Sequence, residues 1–480
     1  MGIVISKSNF AKGLSCPKLL WTIFNAPKQI PPHDAATEAL FEQGHEVGAL
    51  AKQRHPDGIE ITEKGYEKSV ASTRKNLTAK KPLFEAGFRH RTAFCRIDIL
   101  APAKNGWDII EVKSASRVKD EHIADVAFQR YCAEGAGLHV HNCFLLHINT
   151  DYVKKGDIDI NKIFTLENIT DHVSAFLPRV EDEVIRMLKI IKGPEPKPLL
   201  GTECLDPSEC PVCMNGLPEH NVTELARLGK KAYDLVNNGI VLIRDLPPDV
   251  KLNDKQENQR DAALSGKPHI DKASIKKFLK GLTYPLHFLD FEGVNPAVPL
   301  FDGTRPFQHI PFQLSLHIID KPGAAPKHVE FISDNANDPR PGVANALKAI
   351  KPKGTVLAYY ASYEKNMIEG LAEQFPKERW LHELIDRIDD LIIPFAQFWY
   401  YHPAQHGSTS LKEVLPALTG KSYAHLAISS GNVAAQTFMN IMYKGNPGDK
   451  KKLRADLLEY CGQDTQGMID ILRVLEKAAG

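Results

Sequence analysis

Apolar residues first recur at helical spacing and then change period. Leu40, Val47, Leu50 and Ala51 fall on one side of a 3.6-residue repeat, which predicts an amphipathic helix over 35–53. Over 94–113 the pattern shortens to strand alternation. Phe94 and Arg96-Ile97-Asp98-Ile99-Leu100 precede Asn105-Gly106, and Trp107-Asp108-Ile109-Ile110-Glu111-Val112-Lys113 follows. Two β-prone runs about an Asn-Gly pair predict a hairpin. A helix over 120–136, closing at Gly135 or Gly137, and a strand over 141–148 come next. A charged helix over 171–192 ends before Pro194, Pro196 and Pro198.

Residues 222–280 are polar and helical in tendency. Leu235 to Leu246, with a glycine turn at Gly239, reads either as a helix-hairpin-helix or as a plain pair of linker helices. Beyond Leu282 the pattern gives strands over 286–291, 312–319 and 328–332, a helix over 339–350, a strand over 355–360, and then mostly helix. This order predicts a mixed α/β sheet rather than a barrel. The division expected is 1–215, a helical connector over 216–280, and 281–480.

Composition narrows the class without choosing a partner. The 480 residues carry 43% hydrophobic and 25% charged positions, as soluble globular proteins do. Sixty basic and 59 acidic residues nearly cancel, so net charge neither favours nor excludes nucleic acid. No apolar run reaches the roughly 18 residues of a membrane span, and the start lacks a secretory signal, so no membrane partner is expected. Eight cysteines are few for a disulfide scaffold of this length, which makes a reducing cytoplasm the expected location.

Charged residues inside apolar strands carry the chemistry, because a buried charge needs compensation. Strand period puts Glu111 and Lys113 on one face, and Asp98 on the neighbouring hairpin strand offers a second carboxylate. Such oxygen ligands suit Mg2+ or Mn2+, with the lysine stabilising developing charge. This set resembles the PD-(D/E)XK nucleases, and among them the RecB-like group. The resemblance implies a restriction-endonuclease-like fold and a catalytic role for Asp98, Glu111, Lys113 and Gln129, with Asp98 and Glu111 on the metal. The tyrosine usual four residues after the glutamine is Ala133 here, and Tyr131 stands two residues on. His45 or Glu46, in Gly44-His45-Glu46-Val47-Gly48, could stand for the group's N-terminal ligand.

Cys204, Cys210 and Cys213 are clustered, and Cys16 could complete a four-thiolate site for zinc or a [4Fe-4S] cluster. One ligand before the hairpin and three after it resemble the iron-sulfur RecB-like nucleases. That likeness implies the cluster, with zinc as the alternative. Cys95, Cys132, Cys143 and Cys461 lie in apolar runs and read as packing residues.

A second acidic set begins with Leu289-Asp290-Phe291-Glu292, two carboxylates on one face of a buried strand. Glu364 follows a later strand, and Tyr460 and Asp464 stand four apart on a helix. Together they resemble the DnaQ-like, DEDD-type 3′→5′ exonucleases of the ribonuclease H-like fold. The resemblance implies that Asp290, Glu292, Glu364 and Asp464 hold two Mg2+ or Mn2+ ions, with Tyr460 positioning the attacking water. Glu364 departs from the aspartate usual there.

The motifs Gly44-His45-Glu46-Val47-Gly48, Trp107 to Ser114, Ile310 to His317, Asp338-Pro339-Arg340 and Gly407 to Lys412 together resemble a bacterial family labelled domain of unknown function 2779, over essentially the whole chain. The function expected is a metal-dependent nuclease acting on DNA, exonucleolytic on single-stranded or end-containing substrates, in repair or defence, with RNA also open. The rival expectations are one catalytic unit beside a nucleic-acid-binding unit, the C-terminal one because of Glu364, or a noncatalytic scaffold of a repair or defence complex.

Overall fold

The computed structural model describes residues 2–204, 210, 212–443 and 448–480. The chain forms two compact units: Met1–Leu199, Glu203–Gly216 and Pro296–Phe307 make the first, and Leu200–Thr202, Leu217–Asn295 and Gln308–Gly480 the second. Both are mixed α/β. The stretch 217–280, read from sequence as a connector, belongs to the second unit.

The first unit runs β1 (Ile5–Ser6), α1 (Lys7–Ser15), α2 (Pro17–Asn25), α3 (Ala35–Lys52), β2 (Ile59–Glu60), α4 (Tyr66–Asn76), β3 (Leu83–His90), β4 (Ala93–Ala103), β5 (Gly106–Lys113), α5 (Asp120–Gly135), β6 (Val140–Ile148), β7 (Phe164–Asn168), α6 (Thr170–Phe176) and α7 (Pro178–Lys192). The helix expected over 171–192 is broken in two, since Pro178 starts a new helix. Strands lie in the order β2-β3-β4-β5-β6-β7, with β1 beside β4. The β4–β5 pair is antiparallel around its tight turn, whereas β5 and β6 are parallel because α5 carries the chain back across the sheet.

One core joins Leu83, Ile97, Ile109 and Leu145 to Phe10, Phe128 and Met187 of the helices. The other joins Phe84, Ile99, Ile110 and Leu146 to Val47 and Ala51 of α3. Alternation fails where β3 pairs with β4. Ala86 and Ile97 belong to the first core, yet Phe84 and Ile99, two positions away on the same strands, belong to the second. Between them lie Glu85, with a left-handed φ of 56°, and Asp98. Both strands therefore change face at an acidic pair. On α3, Leu40 departs from the expected buried stripe at 66% exposure, and Phe41 beside it is 51% exposed.

The second unit holds α8 (Lys230–Asn237), α9 (Asp254–Ser265), β8 (His269–Ile270), α10 (Lys272–Gly281), β9 (Leu286–Val294), β10 (Ile310–Ile319), β11 (Lys327–Ile332), α11 (Arg340–Leu347), β12 (Val356–Ala358), α12 (Ala361–Gln374), α13 (Trp380–Ile385), β13 (Ile388–Asp390), α14 (Ile393–Ala396), β14 (Tyr400–Tyr401), α15 (Leu411–Thr419), α16 (Gly431–Tyr443) and α17 (Lys450–Ala479). The helix-hairpin-helix is not formed. After Gly239 the backbone pairs with an earlier segment, Val222 N donating to Val241 O at 2.8 Å, and only a single turn follows at Ile243–Asp245.

The main sheet has the order β11-β10-β9-β12-β13, antiparallel from β11 to β9 and parallel from β9 to β13. Leu289, Phe291, Leu314 and Leu316 join one core. The opposite face of β10 is polar and carries α17: Ser315 Oγ and His317 Nδ1 meet Thr465 Oγ1 at 2.7 and 2.8 Å, and Gln313 Nε2 donates to Leu457 O at 2.7 Å. These directional bonds fix the rotation and height of the helix, which apolar packing alone leaves loose.

The β4–β5 turn sets the register of Asp98 against Glu111, and Gly106 at φ +137° is essential to it, since a Cβ there would lie 2.4 Å from His139 O. Gly106→Ala is expected to cost about 2 kcal/mol or more and to lower the melting temperature of the full chain by several degrees. An unchanged thermal unfolding curve would refute this.

Candidate metal centres

In the first unit, β4 and β5 part company beyond Ile99–Ile110, and Asp98 fills the break: its Oδ2 accepts from Val112 N at 2.8 Å. Glu111 is buried, and Lys113 lies on the same face, its Nζ 2.9 Å from Glu111 Oε1. Gln129 of α5 donates to Glu111 Oε2 at 2.6 Å. All four residues singled out in sequence thus meet at one place.

Three others join them that the sequence reading missed. Lys7 Nζ, at the start of α1, lies 2.7 Å from Glu111 Oε1. Asp125, one turn before Gln129 on α5, holds Lys113 Nζ at 2.7 Å, and that spacing was the signal that could have found it. Glu85 lines the same cleft of about 940 Å³, as does His45, whereas Glu46 does not.

The electrostatics pull the two carboxylates apart. Burial opposes the charge on Glu111, but Lys7 and Lys113 overcome it and hold the group below the ordinary range. Burial and the neighbouring Glu111 push Asp98 up to about 7. Burial also works against Lys7 and Lys113, yet the surrounding carboxylates keep both above the usual lysine value.

Near the chain start, Cys16 caps α2, its sulfur accepting from Leu19 N at 3.4 Å. Cys204 is buried, and Cys16, Cys210 and Cys213 are half-buried. Burial and the neighbouring thiols of Cys210, Cys16 and Cys204 push Cys213 up to about 11. No disulfide joins them. Cys95, Cys132, Cys143 and Cys461 are buried among core residues.

In the second unit, Asp290 and Glu292 project from β9 on the side of α17, and α17 supplies Tyr460 and Asp464. One carboxylate oxygen each from Asp290, Glu292 and Asp464 lies within 4.8 Å of the others. Glu364, in the first turn of α12, lines the same cavity of about 580 Å³ and is 1% exposed, and its Oε2 is buried with no hydrogen-bond partner. Asp390 holds α12 in place by accepting from Tyr360 N and Ala361 N at 3.1 and 3.0 Å.

Little positive charge answers these four carboxylates. Lys412 is the lysine that lines the cavity, its Nζ 5.1 Å from the centre of the Tyr460 ring. Burial pushes Lys412 below the usual lysine range against the pull of Asp464, Glu292 and Asp290. Tyr423 OH donates to Asp464 Oδ1 at 2.6 Å, and Cys461 Sγ lies 3.3 Å from Asp290 Oδ2. Burial and mutual repulsion push Asp290, Glu292 and Glu364 well above the carboxylate range. Burial takes Asp464 up to about 6. Lys412 and Tyr423 were not singled out as site residues, and Tyr423 has no sequence signal beyond being an isolated aromatic.

The donor chemistry fits divalent cations of the magnesium type: clustered oxygens, with the buried, unpartnered Glu364 Oε2 beside them, lining one cavity. Among the described residues no helix is long and apolar enough to cross a membrane. Residues 287–410 match the family model described as Domain of unknown function (DUF2779), a narrower span than the whole-chain likeness expected from the motifs. It includes Asp290, Glu292 and Glu364 but not Tyr460 or Asp464. No curated protein matches the chain.

Because the raised carboxylates hold protons that a cation must displace, stabilisation by Mn2+ is expected to grow as pH rises through about 6 to 7. The sign follows from folded pKa values above the unfolded ones. Protons favour the metal-free fold at low pH, and that contribution fades as pH rises, so the cation gains most where it is gone. Thermal unfolding with and without Mn2+ at about pH 5 and about pH 8 measures this, and a larger shift at the lower pH would contradict it.

Proposed function

We propose that the chain is a metal-dependent nuclease that hydrolyses DNA phosphodiester bonds. On this reading a restriction-endonuclease-like first unit is joined to a ribonuclease H-like second unit in the cytoplasm, in DNA repair or defence. The observation that carries it is the carboxylate group Asp290, Glu292 and Asp464, closed to within 4.8 Å with Glu364 beside it and Lys412 facing it. The resemblance to DEDD exonucleases supports the same reading, as does the sequence likeness of the Asp98, Glu111 and Lys113 set to RecB-like nucleases.

Asp290, Glu292, Glu364 and Asp464 would hold Mg2+ or Mn2+, and such ions supply Lewis acidity and an activated water when bound. The chain's own groups do the rest. Tyr460, on the cavity wall beside Asp464, orients the attacking water. Lys412 sits where it can meet a phosphate or the charge that develops on it. A cavity of this kind admits a strand terminus more readily than the middle of a duplex, which favours single-stranded or end-containing DNA.

A second reading, with one cutting unit and one binding unit, is favoured by a difference in charge balance. Glu111 already has Lys7 and Lys113 at 2.7 and 2.9 Å, whereas among the described residues the second set faces Lys412 alone of the lysines and arginines that line its cavity. If one unit cuts, this assigns cutting to the second, the reverse of what Glu364 suggests.

The full chain with Mn2+ on end-labelled single-stranded DNA, duplex DNA and RNA tests both readings. In a Lys113→Ala background, Asp290→Ala is expected to reduce the remaining cleavage by about 10² or more, and Tyr460→Phe by less than about tenfold. Glu364→Asp should retain activity. Lys113→Ala should remove any cleavage due to the first unit, by about 10². No cleavage of any strand by the wild type under Mg2+ or Mn2+ would overturn the proposal in favour of a scaffold, and full activity in the double variant Asp290→Ala/Lys113→Ala would discard both sites.

For the thiols the reading is a [4Fe-4S] cluster on Cys16, Cys204, Cys210 and Cys213. The likeness of this arrangement, one ligand before the hairpin and three after it, to the iron-sulfur RecB-like nucleases supports the cluster, with tetrahedral zinc as the alternative. Anaerobically purified protein should carry about four irons per chain and absorb broadly near about 400 nm, and Cys210→Ser should lose both. Zinc that leaves with Cys210→Ser, in the absence of iron, would replace the cluster by zinc.

A further inference from the structure

Apart from the acidic sites and the thiols, the second unit brings together His220, Glu224 and His406, one ligand atom of each lying within 4.8 Å of the other two. We propose that these residues bind a divalent transition metal of the zinc type, tying the segment before α8 to the loop before α15.

Glu224 divides its carboxylate between two tasks. Oε1 accepts from Asn221 N and Asn221 Nδ2 at 3.2 and 3.1 Å, which aims the group. Oε2 is buried with no hydrogen-bond partner and faces two imidazoles, 3.4 Å from His406 Nδ1 and 3.9 Å from His220 Nδ1. Nitrogen and oxygen ligands at about 2.0–2.1 Å from a tetrahedral zinc stand about 3.4 Å apart. The His406–Glu224 contact thus matches the spacing zinc requires, and the His220–Glu224 contact exceeds it by about half an ångström. Two imidazoles and one carboxylate are a zinc donor set that leaves a fourth position for water or another ligand.

The surroundings hold the three donors in register. Gln259 is fully buried, accepting from Ala226 N at 2.6 Å and donating to Glu224 O at 2.9 Å, and so fixes the backbone that carries Glu224. Gly407, next to His406, has φ +79°, and a Cβ there would lie 2.0 Å from Glu224 O. The two loops can approach this closely only because that position is glycine. Tyr401 OH then accepts from Gly407 N at 3.1 Å. His220 and His406 themselves have left-handed φ values of 57° and 47°, conformations that non-glycine residues keep where the surroundings dictate them. The loop so fastened runs through Thr409, whose carbonyl accepts from Tyr359 OH at 2.7 Å, to Lys412 at the acidic cavity. The metal thus anchors the segment that delivers Lys412.

The test uses the full chain, stripped with chelator and titrated with zinc alone or Co2+ alone, as wild type, His406→Ala and Glu224→Gln. Glu224→Gln keeps an acceptor for Asn221 while removing the ligand charge, so it reports on the metal even if His406→Ala folds poorly. Wild type should retain one more zinc per chain than His406→Ala, and Glu224→Gln should bind that zinc at least about tenfold more weakly. The cobalt difference spectrum between wild type and His406→Ala should show visible d–d bands without a thiolate charge-transfer band, which separates this site from the cysteines. Equal zinc content and identical cobalt spectra in all three proteins would reduce the cluster to a histidine–carboxylate contact and overturn the proposal.

Discussion

Carboxylates packed side by side on central strands are the constraint around which both units are arranged. Two unit charges about 5 Å apart at an effective dielectric constant of about 20 repel by roughly 3 kcal/mol. Full ionisation of Asp290, Glu292 and Asp464, with Glu364 beside them, would therefore cost a large part of the roughly 5–15 kcal/mol that holds a domain folded. The fold keeps them together through contacts made elsewhere. The Gln313, Ser315 and His317 bonds to α17 and the Asp390 cap on α12 lock the elements that carry the acids. Protons or cations must then supply the missing positive charge.

The two units answer this constraint differently. In the first, Lys7, Lys113 and Gln129 surround Glu111 and leave Asp98 as the group most easily protonated. In the second, among the described residues, Lys412 is the lysine that faces the four carboxylates, and burial itself pushes it toward neutrality. Compensation thus shields Glu111 but leaves Asp98 sensitive to pH, whereas all four acids of the second set depend on protons or divalent ions.

Ligand chemistry also divides along the chain. Thiols of the first unit neighbour Cys213, oxygens gather on the central strands of each unit, and two imidazoles with one carboxylate gather beside α9 and β14. Soft sulfur, hard oxygen and intermediate nitrogen select different metals, so the proposed occupants need not compete for one another's places. Each group also joins segments far apart in sequence, such as Cys16 with Cys213 or His220 with His406.

The β4–β5 hairpin, the helix carrying Gln129, the strand carrying Asp290 and Glu292, and the Tyr460–Asp464 face of α17 were all legible in the sequence, because periodicity and turn residues are local properties. Tertiary structure decided what those elements meet. Lys7 is linked to Glu111 only through the pairing of β1 with β4, and no spacing rule joins positions so far apart. The change of strand face at Glu85 and Asp98 depends on one left-handed residue that two-residue alternation cannot anticipate. The second half of the helix-hairpin-helix was lost because backbone pairing between Val222 and Val241 satisfies the chain better than another helical turn. His220, Glu224 and His406 gave no motif at all, since their ligand geometry arises from two loops pressed together over Gly407. Sequence alone fixed which residues share an element, and long-range packing, through hydrogen bonds and close approach, fixed which elements share a site.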